Sequence, residues 1–245
     1  MAPAGIGADV EGVHAVSAAL AAGRVTGLTV ERSRVDDLVE IVDRAREAGV
    51  PVTVVADVRD LARTTAPQGV VASARPIAPM ALSALIETAP DPKALIVFDH
   101  LTDPRNVGAI ARTAWAAGIG GLVVSGRRSA PLGATAFKAA AGALEHLPIA
   151  EVGSVADAVE DLRRREIWTI GLSGDAETGL YETKLLTEPV ALVIGAEGRG
   201  LSRLAAERCD QLVSIPMAPG TESLNASVAA ALAMYELARA RGWVT

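Results

Sequence analysis

The chain has 245 residues, half of them hydrophobic and 21% charged, and its net charge is −6. These fractions exclude a disordered or collagen-like chain, and the length suits one large domain or two small ones. No apolar run reaches the roughly 18–20 residues that span a bilayer, the N-terminus lacks a signal-peptide pattern, and the single Cys209 cannot form an internal disulfide. A soluble cytoplasmic protein is therefore expected.

The first part of the chain, residues 9–75, alternates helical and strand patterns and predicts a small α/β domain. The predicted elements are a helix from Val13 that ends at Gly23, a strand at Leu28–Glu31, a helix at Arg34–Ala48, a strand at Val52–Ala56, a short helix at Asp57–Thr64 and a strand at Gly69–Ser73. Residues 76–92 contain four prolines around a short apolar piece, and this density predicts a linker.

The remainder, residues 93–245, shows a stronger alternation and predicts a second domain. Short apolar runs predict strands at Ala94–Phe98, Gly121–Ser125, Ile167–Leu172, Ala191–Gly195 and Leu212–Ile215. Helices are predicted at Val107–Ala117, Ser154–Arg165, Ser202–Arg208 and Asn225–Arg241, the last with Val228, Ala231, Leu232 and Tyr235 on its packed face. This alternation predicts a mostly parallel sheet with helices on both faces.

Three segments of the second domain have residue types suited to chemistry. Asp99–Thr113 follows a strand and opens a helix, which is where open α/β sheets bind ligands. Leu192–Ser202 places three glycines at a strand-to-helix turn, where backbone and ligand can approach closely. Val213–Val228 leads from a strand through a loop of small residues into the last helix.

Each segment also has a purely structural interpretation. Asp103 or Asn106 could simply cap one helix, and Ser223 or Asn225 could cap another. The order G-x-x-G-x-G is neither a dinucleotide fingerprint nor a Walker loop, and Glu197 within it would repel a pyrophosphate. An NAD-dependent oxidoreductase is disfavoured because no G-x-G-x-x-G turn is present.

Taken together, the three segments resemble the motifs of the SpoU branch of the SPOUT methyltransferases. The resembling stretches are N-x-G-x-x-x-R from Asn106 to Arg112, then L-V-I-G-A-E-G-x-G-L, then I-P-M followed by S-L-N-x-S-V-A. KAAAGALEHLPI at residues 138–149 resembles the subgroup that methylates a guanosine 2′-hydroxyl in 23S rRNA. Within residues 9–75, Gly12–Val16 and Gln68–Ala72 resemble the RNA-substrate-binding domain of that subgroup, with Ala66-Pro67 where Asn-His is frequent.

The resemblance implies a fold, a cofactor and a cofactor site. The fold is α/β, with a C-terminal α/β-knot (a deep trefoil knot) and a mostly parallel sheet, preceded by the small α/β RNA-substrate-binding domain. The cofactor is S-adenosylmethionine. Its expected ligands are Gly195, Gly198, Ile215, Met217 and Leu224.

The resemblance also implies catalytic residues and partners. The expected catalytic residues are Asn106, Arg112, Glu197, Ser223 and Asn225, with Arg112 holding the phosphate beside the target ribose. The expected RNA contacts are Arg105, Arg127, Arg128 and Lys138, while Arg24, Arg32 and Arg34 could serve the small domain. A homodimer is expected, with Arg112 of one chain facing the cofactor of the other; no metal is expected, since the three histidines show no ligand spacing.

Composition limits how RNA would be held, and several functions stay open. Acidic residues outnumber basic ones by 29 to 23 and only 3% of residues are aromatic, so binding must depend on a local positive stripe and not on the overall field. The alternatives are a tRNA ribose methyltransferase, an antibiotic-resistance rRNA methyltransferase, and a non-enzymatic RNA-binding or assembly protein.

Overall fold

The computed structural model describes residues 5–126, 129–221 and 223–242. Its strands are β1 (Asp9–Glu11), β2 (Val25–Glu31), β3 (Val52–Val55), β4 (Val70–Ala74), β5 (Ala94–Asp99), β6 (Gly121–Ser125), β7 (Ile149–Val152), β8 (Trp168–Leu172), β9 (Val190–Gly195) and β10 (Gln211–Val213). Its α-helices are α1 (Val13–Ala21), α2 (Val39–Glu47), α3 (Leu82–Thr88), α4 (Pro104–Ala116), α5 (Ala134–Ala140), α6 (Val155–Arg164), α7 (Arg203–Arg208) and α8 (Ala226–Ala240). Short 3-10 turns occupy Arg32–Arg34, Ala143–Glu145 and Leu185–Thr187.

Two compact units make up the fold, and neither is continuous in sequence. Unit one contains the described residues up to Ala78, together with Val107–Arg112 and Pro131–His146. Unit two contains the described residues of 79–106, 113–130 and 147–245. The division expected from the sequence, with domains at 9–75 and 93–245 and a linker at 76–92, stays a prediction.

Unit one is built on a sheet with the strand order β1-β4-β2-β3. The β1/β4 and β4/β2 pairs are antiparallel, whereas β2 and β3 run parallel. Val10, Leu28, Val30 and Val70 of the strands and Val16 of α1 are buried in its core. This α/β arrangement agrees with the class predicted for the first part of the chain.

Unit two is built on a sheet with the order β10-β8-β9-β5-β6-β7, in which every neighbouring pair is parallel. Alternate strand residues such as Leu95, Val97 and Val193 share one buried cluster with α3 and α6. Because strand side chains alternate between faces, this cluster covers one face of the sheet. The predicted parallel α/β fold is confirmed; the trefoil knot stays a prediction.

The structure corrects several predicted elements. The helix predicted at Asp57–Thr64 is wrong: these residues form turns, because the amides of Arg63 and Thr64 bond to the Glu11 carboxylate instead of to a preceding turn of helix. The helix predicted from Arg34 begins at Val39 instead. Three short elements, β1, β7 and α5, were absent from the prediction.

The prediction of which face of the last helix is buried is also wrong. Val228, Leu232 and Tyr235 are 47%, 38% and 44% exposed. The buried face of α8 instead carries Met234, Leu237 and four alanines. These alanines are Ala226, Ala230, Ala233 and Ala238. No described helix is long and apolar enough to cross a membrane.

Candidate functional site

A tight backbone turn follows β9 and forms one wall of the candidate site. Ala196 and Gly200 exchange two hydrogen bonds of 2.9 Å between their N–H and C=O groups. A Cβ on Gly195 would lie 2.2 Å from the carbonyl carbon of Gly200, so only glycine fits there. Gly198 and Gly200 have φ angles of +71° and +65°, which favour glycine. The geometry of the turn therefore requires glycine at these three positions.

A buried carboxylate fixes the far end of this turn. Asp99, the last residue of β5, is fully buried, and its Oδ2 accepts a hydrogen bond of 2.6 Å from the Ser202 amide. Among the described residues no hydrogen-bond donor is aligned with Oδ1, although His100 Nδ1 lies 3.0 Å away. Sequence reasoning did not single out Asp99, because Ser202, its partner, lies about a hundred residues further along the chain.

The opposite wall is the segment between β10 and α8. Ser214 donates its amide to the Thr178 carbonyl at 2.9 Å and accepts from the Leu180 amide at 2.7 Å. Asn225 caps α8, since its Oδ1 accepts from the amide and hydroxyl of Ser227 at 2.8 and 2.6 Å. Its Nδ2 also donates to Glu197 Oε1 at 3.4 Å. Asn225 therefore links the helix start to the glycine turn.

The two walls enclose a cleft of about 430 Å³. Seven of the predicted site residues line it: Gly195, Glu197, Gly198, Ile215, Met217, Ser223 and Leu224. Sequence reasoning missed a further stretch of the lining, residues 172–175, which begins at the last residue of β8. The signal that could have found this stretch is its place at the carboxyl end of a parallel strand, where α/β sheets bind ligands.

An ionic network anchors β8 beside the cleft. Asp210 Oδ2 accepts from the amide and hydroxyl of Thr169 at 2.9 and 2.7 Å, and Oδ1 accepts from Arg163 at 2.7 Å. Burial would raise the pKa of Asp210, but hydrogen bonds from Thr169 and Arg163 outweigh it and hold that pKa below its usual value. The neighbouring Cys209 is partly buried, and the loss of water around its thiol raises its pKa to about 12, so it stays a neutral packing group.

The cleft combines apolar walls with a mixed-charge rim. Ile194, Ile215 and Leu224 supply apolar surface, while Glu197, Asp175 and Arg199 are exposed at its edge. Its volume lies within the range of about 300–1,000 Å³ typical of small-molecule sites. Among the described residues no group of three or more His, Cys, Asp or Glu side chains could hold a metal ion.

The first predicted motif lies on α4. Asp103 caps this helix by accepting from the Arg105 amide at 2.8 Å, and Pro104 occupies its first turn. Asn106 is buried, whereas the side chains of Arg105 and Arg112 are exposed. Arg112 belongs to unit one, and no other described residue forms an ion pair with it. No α4 residue is among the described residues that line the cleft.

The remaining predicted RNA contacts have different outcomes. The Lys138 ammonium donates to the Ala66 carbonyl and lies 3.4 Å from Thr64 Oγ1. Arg127 and Arg128 lie outside the described residues. Arg24 already has partners inside unit one: its guanidinium lies 2.5 Å from the Glu145 carboxylate and 5.6 Å from the Phe137 ring centroid. A contact of Arg24 with RNA stays a prediction.

Comparison with known proteins identifies the class. Residues 93–235 match the SpoU rRNA Methylase family, and residues 10–80 match a domain described as RNA 2′-O ribose methyltransferase substrate binding. The chain belongs to the SpoU rRNA methylase family.

Individual relatives agree with this assignment. An uncharacterized tRNA/rRNA methyltransferase of Synechocystis, slr0955, is 45% identical over 72% of this chain, which spans only 46% of that protein. The 23S rRNA (guanosine-2′-O-)-methyltransferase RlmB of Photobacterium profundum is 36% identical over 94% of this chain and 96% of its own length. Among solved structures, the SpoU methyltransferase AviRb from Streptomyces viridochromogenes superimposes with a TM-score of 0.79 at 29% identity, covering 95% of this chain and 89% of that one.

Proposed function

We propose that this protein transfers a methyl group from S-adenosylmethionine to a ribose 2′-hydroxyl of RNA, with a guanosine of 23S rRNA as the target. The observation that carries the proposal is the cleft: two motifs that lie about 20 residues apart in sequence form its two walls. Family membership supports the reaction class, and the RlmB relatives support the RNA target. AviRb has also been solved in complex with this cofactor.

The residues of the cleft fit S-adenosylmethionine. Ile215 and Leu224 offer an apolar wall for an adenine ring, and Gly195 lets the Gly200 backbone pack directly against it, which keeps the turn beside the cleft tight. Gly198 and Met217 complete the predicted ligand set along the same walls. The carboxylates of Glu197 and Asp175 at the rim suit a cationic ligand.

The chain's own residues have to align the nucleophile and manage its proton. The cofactor supplies an already activated methyl group, so alignment of the 2′-oxygen can account for about 7–11 kcal/mol of the barrier. Arg112 is proposed to hold the neighbouring phosphate, because a guanidinium stays charged and binds oxyanions through two hydrogen bonds. Glu197 is the proposed proton acceptor, and Asn225 orients it through the 3.4 Å contact. Asn106 orients the ribose or Arg112, and Ser223 fixes the loop before α8.

A homodimer is part of the proposal, with Arg112 of each chain facing the cofactor of the other. The apolar residues exposed on α8 support it, since Val228 and Leu232 are 47% and 38% exposed. Trp115 on α4 is 50% exposed as well. Light scattering of the purified protein is expected to give twice the chain mass; a fully active monomer would contradict the shared site.

RNA is proposed to contact the basic side chains of Arg105, Arg127, Arg128 and Arg199. Arg105 and Arg199 are exposed, so they are free to reach phosphates. Because the chain is acidic overall, we expect moderate affinity and a shallow dependence on salt. An enzyme that modifies ribosomal RNA would act in the cytoplasm.

The function is tested by methyl transfer with Arg112 variants. Purified protein is incubated with labelled S-adenosylmethionine and either 23S rRNA fragments or purified tRNA, and the modified ribose is mapped by mass spectrometry. Arg112→Ala and Arg112→Lys are expected to lose turnover by at least about a hundredfold while titration calorimetry shows unchanged cofactor binding.

Each other outcome has a definite meaning. Modification of tRNA alone would replace the rRNA assignment with a tRNA one. Absence of cofactor binding would favour a non-enzymatic RNA-binding protein. Near-normal turnover of both Arg112 variants would remove Arg112 from the catalytic set.

A further inference from the structure

Residues 63–68, called here the 63–68 loop, are held by side chains from distant parts of unit one. Glu11 at the end of β1 is only 2% exposed, and both of its oxygens accept hydrogen bonds from the loop. Oε1 accepts from the Arg63 amide, and Oε2 accepts from the Thr64 amide and hydroxyl at 3.0 and 2.6 Å. A buried carboxylate that accepts three hydrogen bonds fixes the segment that donates them.

The other end of the loop is fixed at the start of α1. Gln68 has a φ angle of +61°, an unusual backbone conformation for a residue other than glycine. Its Oε1 accepts a 3.0 Å hydrogen bond from the Val13 amide, one of the helix N–H groups that lack an intrahelical partner. Residues Thr65, Ala66 and Gln68 remain exposed. The loop is thus an ordered, outward-facing surface.

Lys138 holds the middle of the loop from α5. Its ammonium donates to the Ala66 carbonyl and lies 3.4 Å from Thr64 Oγ1, a hydroxyl that also donates to Glu11. Close packing brings α5 to this place: a Cβ on Gly12 would lie 3.5 Å from Lys138 Cγ. The loop matches the substrate-binding family and Lys138 the methylase family, yet both lie in the same compact unit.

Helix α5 also contacts the segment of α4 that carries Arg112. A Cβ on Gly108 would lie 2.3 Å from the Ala136 carbonyl oxygen and 2.6 Å from Ala139 Cβ, so the two helices touch backbone to backbone. Val107–Arg112, α5 and the 63–68 loop all belong to unit one. A ligand gripped by the loop would therefore be held at a set distance from Arg112.

We propose that Lys138 is a positioning residue: it holds the 63–68 loop in the shape that binds RNA and does not itself contact a phosphate. This rests on the proposed function for the identity of the ligand. It replaces the direct RNA contact expected from the sequence, because the ammonium already donates to the Ala66 carbonyl. Lys138 thereby ties RNA recognition to the helix that bears Arg112.

The first test needs no activity. Lys138→Met keeps the aliphatic stem and removes the ammonium, and Lys184→Met is the matched control, since Lys184 is an exposed lysine of unit two. Amide hydrogen exchange of the free protein is measured for both. Exchange at the amides of Arg63 and Thr64, which donate to Glu11, is expected to rise on the order of tenfold in Lys138→Met only, with Lys138→Arg restoring part of the protection. Unchanged exchange in Lys138→Met would overturn the proposal.

The second test separates positioning from phosphate contact. The affinity of the wild type and of Lys138→Met for a 23S rRNA fragment is measured at several salt concentrations. A lost phosphate contact would lower the slope of log K against log salt by about 0.7–0.9. A positioning role predicts a KM for RNA raised on the order of tenfold with an unchanged slope, near-normal kcat and unchanged cofactor affinity. A slope reduced by one contact would overturn the proposal, whereas failure of the wild-type protein to bind RNA would refute the proposed function and leave the exchange result standing.

Discussion

The cleft in unit two and the 63–68 loop in unit one are both ordered surfaces, but they are held in different ways. The cleft is shaped by backbone: the Gly195–Gly200 approach leaves no room for a Cβ, and one long contact from Asn225 to Glu197 joins its walls. The loop is shaped by side chains, since Glu11 and Lys138 supply its hydrogen bonds. The cleft should therefore be sensitive to added atoms and the loop to removed charges.

The largest expected effect is that of Gly195→Ala. The new methyl would lie 2.2 Å from the Gly200 carbonyl carbon and 2.4 Å from the Leu201 nitrogen, so backbone must move. Overpacking costs about 1–3 kcal/mol, and an obstacle made of backbone belongs at the upper end. Calorimetry is expected to show S-adenosylmethionine affinity reduced about a hundredfold.

The matched control for this change is Gly174→Ala. Gly174 also lines the cleft, but a Cβ there would meet nothing within 4 Å. Its cofactor affinity is expected to stay within about threefold of the wild type, since surface substitutions without special contacts stay within about 0.5 kcal/mol. Equal losses in the two variants would show that any bulk in the cleft blocks binding, and the role assigned to the Gly195–Gly200 approach would be wrong.

The cleft was easier to predict from the sequence than the loop, because the loop is held by side chains from distant positions in the chain. The SpoU motifs are contiguous stretches of sequence, so the resemblance to them could point to Gly195, Gly198, Ile215 and Leu224, and all four line the cleft. The bond from Lys138 to Ala66 joins residues 72 positions apart, and no local pattern indicates it. Periodicity also could not distinguish the core face of α8 from an exposed apolar face, so Leu232 was assigned to the wrong side.

An intermediate effect is expected from Glu11→Gln. One carboxylate oxygen becomes an NH₂ group, which cannot accept from the amide of Arg63 or Thr64. Leaving such a buried donor unsatisfied costs about 1–3 kcal/mol in the free energy of unfolding. Chemical denaturation measures this, with Glu47→Gln, an exposed position on α2, as the control. If the affinity for the cofactor fell along with the free energy of unfolding, the cleft would depend on the side chains that hold the 63–68 loop, and the contrast between the two regions would be wrong.

The smallest effect is expected from Asp99→Asn, at a point where a side chain fixes the glycine turn beside the cleft. Asp99→Asn keeps an oxygen that accepts from the Ser202 amide, and the new NH₂ takes the place of Oδ1, 3.0 Å from His100 Nδ1, an atom that can accept from it. The free energy of unfolding should change by less than about 1 kcal/mol, and cofactor affinity should hardly change. Asp99→Ala removes the acceptor for Ser202 and should weaken cofactor binding clearly. If Asp99→Asn were as damaging as Asp99→Ala, the negative charge itself would be required, and the cleft would depend on charge as the loop does.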